Sequence, residues 1–228
     1  MLSEALVYPV RGEDREETLL VGAILVVTLG LLARLGVLAV LSLVPAVLLA
    51  GYAQSVFRAT VESSGASAAS ADAPPRFGNV RTLAADGLRA VVVAVGYLSV
   101  PATVLVLTVG GASAGGRPES FGTTLFVFGA GTVVLFLSLG FAYLLPAALA
   151  GVARTRTLGA ALDRGRLVRS ARSGGYFVAL VAAVVTSVVF AVALGSLAAF
   201  GRPGEVAALA GGFYALVVVA RLVGRGVA

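Results

Sequence analysis

"TLLVGAILVVTLGLLARLGVLAVLSLVPAVLLAGYAQSVF" occupies Thr18–Phe57 and carries a single charge, Arg34. A membrane-spanning helix needs ~20 apolar residues to cross ~30 Å of hydrocarbon. This run is too long for one crossing, and it breaks where Arg34 and Gly36 stand together. It reads as a helical hairpin, Thr18–Ala33 followed by Leu35–Phe57. Within lipid the backbone polar groups must pair inside the segment, so both legs are helices. At 1.5 Å per residue the first leg reaches roughly 24 Å. Local bilayer thinning or outward snorkelling of Arg34 then completes the crossing.

Composition carries the same reading over the whole chain. Of 228 residues, 59% are hydrophobic and 12% charged, with a mean hydropathy of +1.01. Soluble domains average ~45–50% apolar and ~25% charged residues. A water-soluble fold has no means of hiding this much apolar surface, so the chain reads as one integral membrane domain over residues 1–228. All 17 basic residues are Arg, against 11 acids, for a net charge of +6. There is no Cys, which excludes disulfides and thiolate chemistry. There is no His, the commonest metal ligand and general base. The start, "MLSEALVYPVRGEDREET", places acids before the first apolar run and does not read as a cleavable signal.

The remaining apolar runs give four more legs: Leu88–Gly110, Phe121–Gly151, Tyr176–Phe200 and Val206–Val223. The expected fold is all-α, a polytopic transmembrane bundle of about six spans. Its hairpins cover 18–57, 88–151 and 176–223. Segments 1–17, 58–87 and 152–175 lie on one face, with interfacial amphipathic helices among them. The Ser/Ala/Gly-rich part around Ser63–Ala73 reads as a surface loop. The turns "GRPES" (116–120) and "GRPGE" (201–205) match, each with a Pro tolerated at a helix start and a Glu complementing the helix dipole. "PAVLLAGYAQ" (45–54) and "PAALAGVAR" (146–154) match as well. The layout is either a three-unit repeat or the product of shared membrane composition.

With both ends inside, 14 arginines fall on the inner face, and Arg34, Arg117 and Arg202 fall outside. That is a strong positive-inside bias. Tyr52, Tyr143 and Tyr176 fall near the inner boundary, where amphipathic rings are favoured. The expected location is the cell membrane, with both termini cytoplasmic.

"RTRTLGAALDRGRLVRSARSGGY" (154–176) is the heaviest part of that face. Its candidate lipid or partner contacts are Arg154, Arg156, Arg164, Arg166, Arg169 and Arg172. On a helical projection Leu158, Ala161, Leu162, Gly165 and Val168 share one side, as in a helix lying in the interface. Arg169 and Arg172 break that pattern, and a bend is expected at Gly174–Gly175. The arginines meet anionic headgroups or an acidic partner. Nucleic acid is not expected, because no aromatics interleave with the basic residues.

Three more polar residues stand out. Asp14 is placed to cap the first long helix, with Glu16 and Glu17 in its first turn. Asp86 begins the third span and has Arg89 three residues on, a pair suited to a structural role. Within the spans Arg34 is the sole charge considered. Gly129, Ala130, Gly131, Gly211 and Gly212 are candidates for close helix approach. No nucleophile–base pair, metal site or cofactor motif appears, so neither cofactor nor enzymatic activity is expected.

Three segments carry a family resemblance: "MLSEALVYPVRGEDREETLLVGAI", "PPRFGNVRTLAADGLRAVVVAVGY" and "LGAALDRGRLVRSARSGGYFVAL". Their marks are Tyr8, Pro9, Arg11, Gly12, Glu13 and Asp14; then Pro74, Pro75, Phe77, Asp86, Gly87 and Leu88; then Gly175 and Tyr176. The chain resembles a domain-of-unknown-function family of multi-pass membrane proteins common in halophilic archaea. It departs by lacking a Trp after Phe77 and by a longer first hairpin. The resemblance implies a membrane protein and no catalytic residues. The functional expectation is a structural, scaffolding or partner-binding role, with a small-solute permease or channel subunit as the alternative.

Overall fold

The computed structural model describes residues 2–63, 73–114 and 121–227. Among them every regular element is helical. The helices are α1 (Leu2–Val7), α2 (Arg15–Leu32), α3 (Leu43–Ser63), α4 (Val80–Ala114), α5 (Phe121–Thr155), α6 (Arg164–Ala171), α7 (Gly174–Ala198) and α8 (Arg202–Val227). Short 3-10 segments cover Tyr8–Val10, Gly36–Ser42 and Leu158–Leu162. The protein is a polytopic transmembrane helical bundle. Hairpins α2/α3, α4/α5 and α7/α8 form its frame, and α8 packs against α1, α2, α3, α5 and α7.

Five helical stretches are long and apolar enough to cross a bilayer: Gly36–Ser63, Val80–Thr108, Phe128–Thr155, Gly174–Ala198 and Arg202–Val227. The first of the six expected legs, α2, falls outside this set. Arg15, Glu16 and Glu17 fill its first turn and leave 15 apolar residues, Thr18–Leu32, or roughly 22 Å. It lies between Asp14, which pairs with Arg76, and Arg34, which pairs with Glu205. Lipid-facing surface is extensive, with Val106, Phe128, Phe136, Val189 and Val192 all well exposed. α8 is the most enclosed span, with 39% of its apolar window buried against 17–22% for the others.

Several boundaries differ from the sequence reading, each for a local reason. The second leg begins as a 3-10 segment and becomes α-helical only at Leu43. Pro45 has no N–H to give the Leu41 carbonyl, and its ring crowds that turn. The amphipathic helix expected before Leu88 is continuous with the span, because Asn79 starts one helix by accepting from the Arg81 N–H at 2.9 Å. α4 and α5 have 35 residues each, roughly 52 Å, and extend beyond the hydrocarbon. The turn at 201–205 is as expected: Gly201 takes φ +80, a left-handed conformation open to glycine, and Glu205 lies in the first turn of α8. Its counterpart at 116–120 and the loop segment 64–72 lie outside the described residues.

Close helix approach occurs at glycines the sequence reading passed over. A Cβ on Gly51 of α3 would lie 2.0 Å from the Leu83 carbonyl oxygen, and one on Gly87 of α4 1.9 Å from the Val47 oxygen. The α3 and α4 backbones therefore touch at this pair. Gly129 and Gly131, by contrast, have no described neighbour within 4 Å of a built Cβ, while Gly211 meets the Leu194 side chain. The matching Ala-Gly of the second unit behaves like the first: a Cβ on Gly151 would lie 3.0 Å from the Ala160 oxygen. In both units this glycine sits where the segment that follows the hairpin's second leg crosses it.

Candidate functional site

The charged side chains segregate to the two ends of the bundle. At one end Arg34, after α2, pairs with Glu205 of α8 at 2.9 Å. This joins the first and third hairpin turns. At the other end lie the acidic start of α2, the junctions 73–87 and 154–173, and the chain's described termini.

Six tyrosines fasten that second end, and each donates to a backbone carbonyl. Tyr8 reaches Ala73 at 3.1 Å, and Tyr52 reaches Pro75 at 3.0 Å. Tyr97 reaches Ala161 at 2.6 Å, and Tyr143 reaches Ala171 at 2.8 Å. Tyr176 donates to Tyr143 and Tyr214 to Leu6. Five of these bonds tie an irregular or terminal segment onto the bundle. A buried phenol needs such a partner, and the ring adds apolar packing. Phe77 inserts from its loop, stacks on Tyr52 at 4.3 Å and approaches Phe213 at 5.9 Å.

Asp86 is the electrostatic centre of this end. Its carboxylate accepts from Arg58 Nη2 at 2.8 Å and from Arg89 Nη1 at 2.8 Å. Arg156 Nε lies 3.9 Å away. Arg58 also donates from Nε to the Ala153 carbonyl at 2.8 Å. One carboxylate thus gathers cations from α3, α4 and the end of α5, with two positive charges in excess. Arg156 follows α5 with φ +56, a left-handed conformation rare outside glycine, and its N–H closes the helix onto Val152 at 2.8 Å.

The Arg-rich segment is not one amphipathic helix. Asp163 interrupts it, its Oδ1 accepting from the Arg166 N–H at 3.1 Å to cap α6. The phase resets there, so the buried residues are Ala161 and Leu167, while Leu158, Leu162 and Val168 are exposed. The bend comes at Arg172–Ser173, just before Gly174. Arg164, Arg169 and Arg172 are exposed, and Arg169 Nε donates to the Gly165 carbonyl at 3.3 Å. Arg154 donates to the Val227 carbonyl at 2.9 Å. With Arg166, Arg169, Ser170 and Ser173 it lines an open pocket of about 440 Å³.

Asp14 occupies the N-cap position of α2, but its side chain makes no cap bond. It pairs with Arg76 instead, because a full charge outcompetes a backbone amide for the carboxylate. Glu4 pairs with Arg225, whose hydrogen bond and charge hold the Glu4 carboxyl below the usual carboxylate range. Arg221 is a buried charge near the same end of the bundle, and its burial was not read from the sequence. It lies within the sixth apolar run and is 4% exposed, with Nη1 3.1 Å from Thr60 Oγ1 and its guanidinium 4.3 Å from the Tyr8 ring centre. The signal was a lone Arg inside "VVVARLVG". Arg58 gave no comparable signal, because its partner lies 28 residues away.

A family described as a protein of unknown function (DUF4013) matches residues 34–199, from the first hairpin turn to the end of α7. The chain belongs to the DUF4013 family. No curated protein and no solved structure is similar enough to match. The DUF4013 region contains the Asp86 centre, the Gly51/Gly87 crossing and the whole Arg-rich segment, while α1, α2 and α8 lie beyond it.

Proposed function

We propose that this membrane protein is a structural or partner-binding scaffold of the cell membrane, with both termini cytoplasmic. The tyrosine- and Asp86-pinned arginine-rich end rests on anionic headgroups of the inner leaflet. The observation that carries the proposal is the fastening itself: five phenol bonds and one carboxylate hold loops and short helices as a fixed cationic plate. Fixed positive charge beside an anionic leaflet is worth about 1 kcal/mol per arginine. The Glu4–Arg225 pair places the described N- and C-terminal ends together at that plate, which supports a common side. The proposal assigns no reaction to the chain: it has neither His nor Cys, and its best-placed acid is engaged by arginines.

The permease alternative calls for hydroxyls turned into a mid-membrane path. Ser99, Thr108, Thr132, Ser138, Ser187 and Ser196 instead each donate to a carbonyl of their own helix three or four residues back. This spends them on local backbone and favours the scaffold. A photocrosslinking residue placed at Leu162 in native membranes tests the proposal. A reproducible lipid or protein adduct that Arg164→Gln/Arg172→Gln weakens is expected. Absence of any adduct, together with solute flux through reconstituted vesicles, would overturn it in favour of the permease.

A further inference from the structure

The pocket between α5, α6 and the end of α8 differs from the rest of the cationic plate. Around the Asp86 centre each arginine has a carboxylate within 4 Å. Beside the pocket, among the described side chains, Asp163 stands 4.0 Å from Arg166 Nε and already caps α6, while Arg154 and Arg169 hold to backbone carbonyls instead. Three guanidiniums and one carboxylate leave two positive charges facing a common space of about 440 Å³. Arg166 Nη1 is buried and has no hydrogen-bond partner. It lies against α5 at Gly151, where a built Cβ would be 3.6 Å away. That nitrogen is turned to α5, while the partly exposed remainder of the side chain lines the pocket, where its charge can meet an acceptor. Two hydroxyl-bearing residues, Ser170 and Ser173, complete the lining.

We propose that Arg154, Arg166, Arg169, Ser170 and Ser173 form a binding site for a phosphate group. Guanidinium forks match phosphate oxygens in pairs, and serine hydroxyls donate to a third oxygen. The phosphate belongs to a lipid headgroup or to a free soluble ion. Both sources present the same oxyanion, and the space accommodates either. The site deepens the scaffold reading, since a lipid phosphate held here would lock the plate to the leaflet at one point.

The test uses the full-length protein in neutral detergent micelles. Inorganic phosphate is titrated by calorimetry against sodium chloride of equal ionic strength, and short-chain phosphatidic acid is titrated in parallel. Saturable binding of phosphatidic acid alone assigns a lipid headgroup; saturable binding of inorganic phosphate as well assigns a free oxyanion. In either case Arg166→Gln and Arg169→Gln should each weaken binding about tenfold or more. Arg202→Gln, exposed at the opposite end of the bundle, should leave it within about twofold. Binding of neither probe to the wild-type protein overturns the proposal, as does equal weakening by the two variant sets. These results are independent of the scaffold reading, which the crosslinking and flux measurements decide in membranes.

Discussion

Arg58 and Asp86 lock three helices: Arg58 Nη2 lies 2.8 Å from Asp86 Oδ2 on α4, while its Nε donates to Ala153 on α5 at 2.8 Å. Both side chains are largely buried, at 19% and 10% exposure. Removing one partner leaves the other's charge uncompensated in a poorly solvated place, which costs more than the pair's net contribution. Asp86→Ala should therefore destabilise the bundle by about 2–4 kcal/mol. Asp86→Asn keeps acceptor geometry and should lose less. Detergent-titrated unfolding measures both, and an Asp86→Ala protein as stable as wild type would refute the locking role.

The phenols make a finer prediction. Tyr97 holds Ala161, within the Arg-rich segment, from the middle of α4. Tyr97→Phe keeps the ring and deletes the bond, for a loss of about 1 kcal/mol. The effect should be local: hydrogen exchange accelerates across Leu158–Ala171 and stays unchanged in α2. Uniform acceleration throughout the bundle would show that Tyr97 supports global packing instead.

Gly51 and Gly131 should respond oppositely to the same substitution. A methyl on Gly51 meets the Leu83 carbonyl at 2.0 Å, and backbone cannot swing aside as a side chain does. Gly51→Ala should separate α3 from α4 and cost about 3 kcal/mol or more. Gly131 has open space around it, so Gly131→Ala should be neutral or gain up to about 1 kcal/mol from helix propensity. Equal effects at the two positions would contradict the crossing.

What the sequence showed and hid divides along physical lines. Apolar run length and arginine placement exposed the helical class and the hairpins, because lipid forces helix and topology follows charge. Asp86 was visible as an acid at a span boundary, but Arg58 and Arg156 were not assignable to it, since contacts across 28 and 70 residues leave no local pattern. Helical projection failed at the Arg-rich segment because it assumed one phase, and the Asp163 cap resets it. Of the two glycine clusters, Gly211 and Gly212 do meet Leu194 and Val26, Gly129 and Gly131 face no described neighbour, and the backbone contact falls at Gly51 and Gly87 instead. Several marks of the family resemblance, namely Tyr8, Pro75, Phe77, Asp86, Gly87 and Tyr176, are the residues that fasten the arginine-rich end.

The Glu4–Arg225 pair predicts a pH response at the described termini. The folded-state carboxyl titrates below its unfolded value, mainly through the hydrogen bond from Arg225 and then its charge. The tether is therefore fully present above the ordinary carboxylate range and is lost as pH falls through the lowered value. Limited proteolysis of the N-terminal segment should accelerate at acid pH, and Glu4→Gln should bring the same acceleration to neutral pH. A cleavage rate independent of pH in both proteins would rule the tether out.

Sidedness is the last expectation and the one on which the headgroup contact depends. The Arg34–Glu205 pair and the Asp86 centre lie at opposite ends of the bundle, so a residue beside each must face opposite sides of the membrane. The chain has no native Cys, which makes single introduced thiols unambiguous. Arg202 is exposed at the start of α8, and Thr157 is exposed just before the segment that Tyr97 fastens. On intact cells a membrane-impermeant maleimide should label Arg202→Cys and spare Thr157→Cys until the membrane is permeabilised. The reverse pattern would invert the orientation and place the cationic plate outside. Labelling of both thiols from one side would require an even number of crossings between them and would break the hairpin frame, since the end of α5 and the α7/α8 turn are separated by α7 alone.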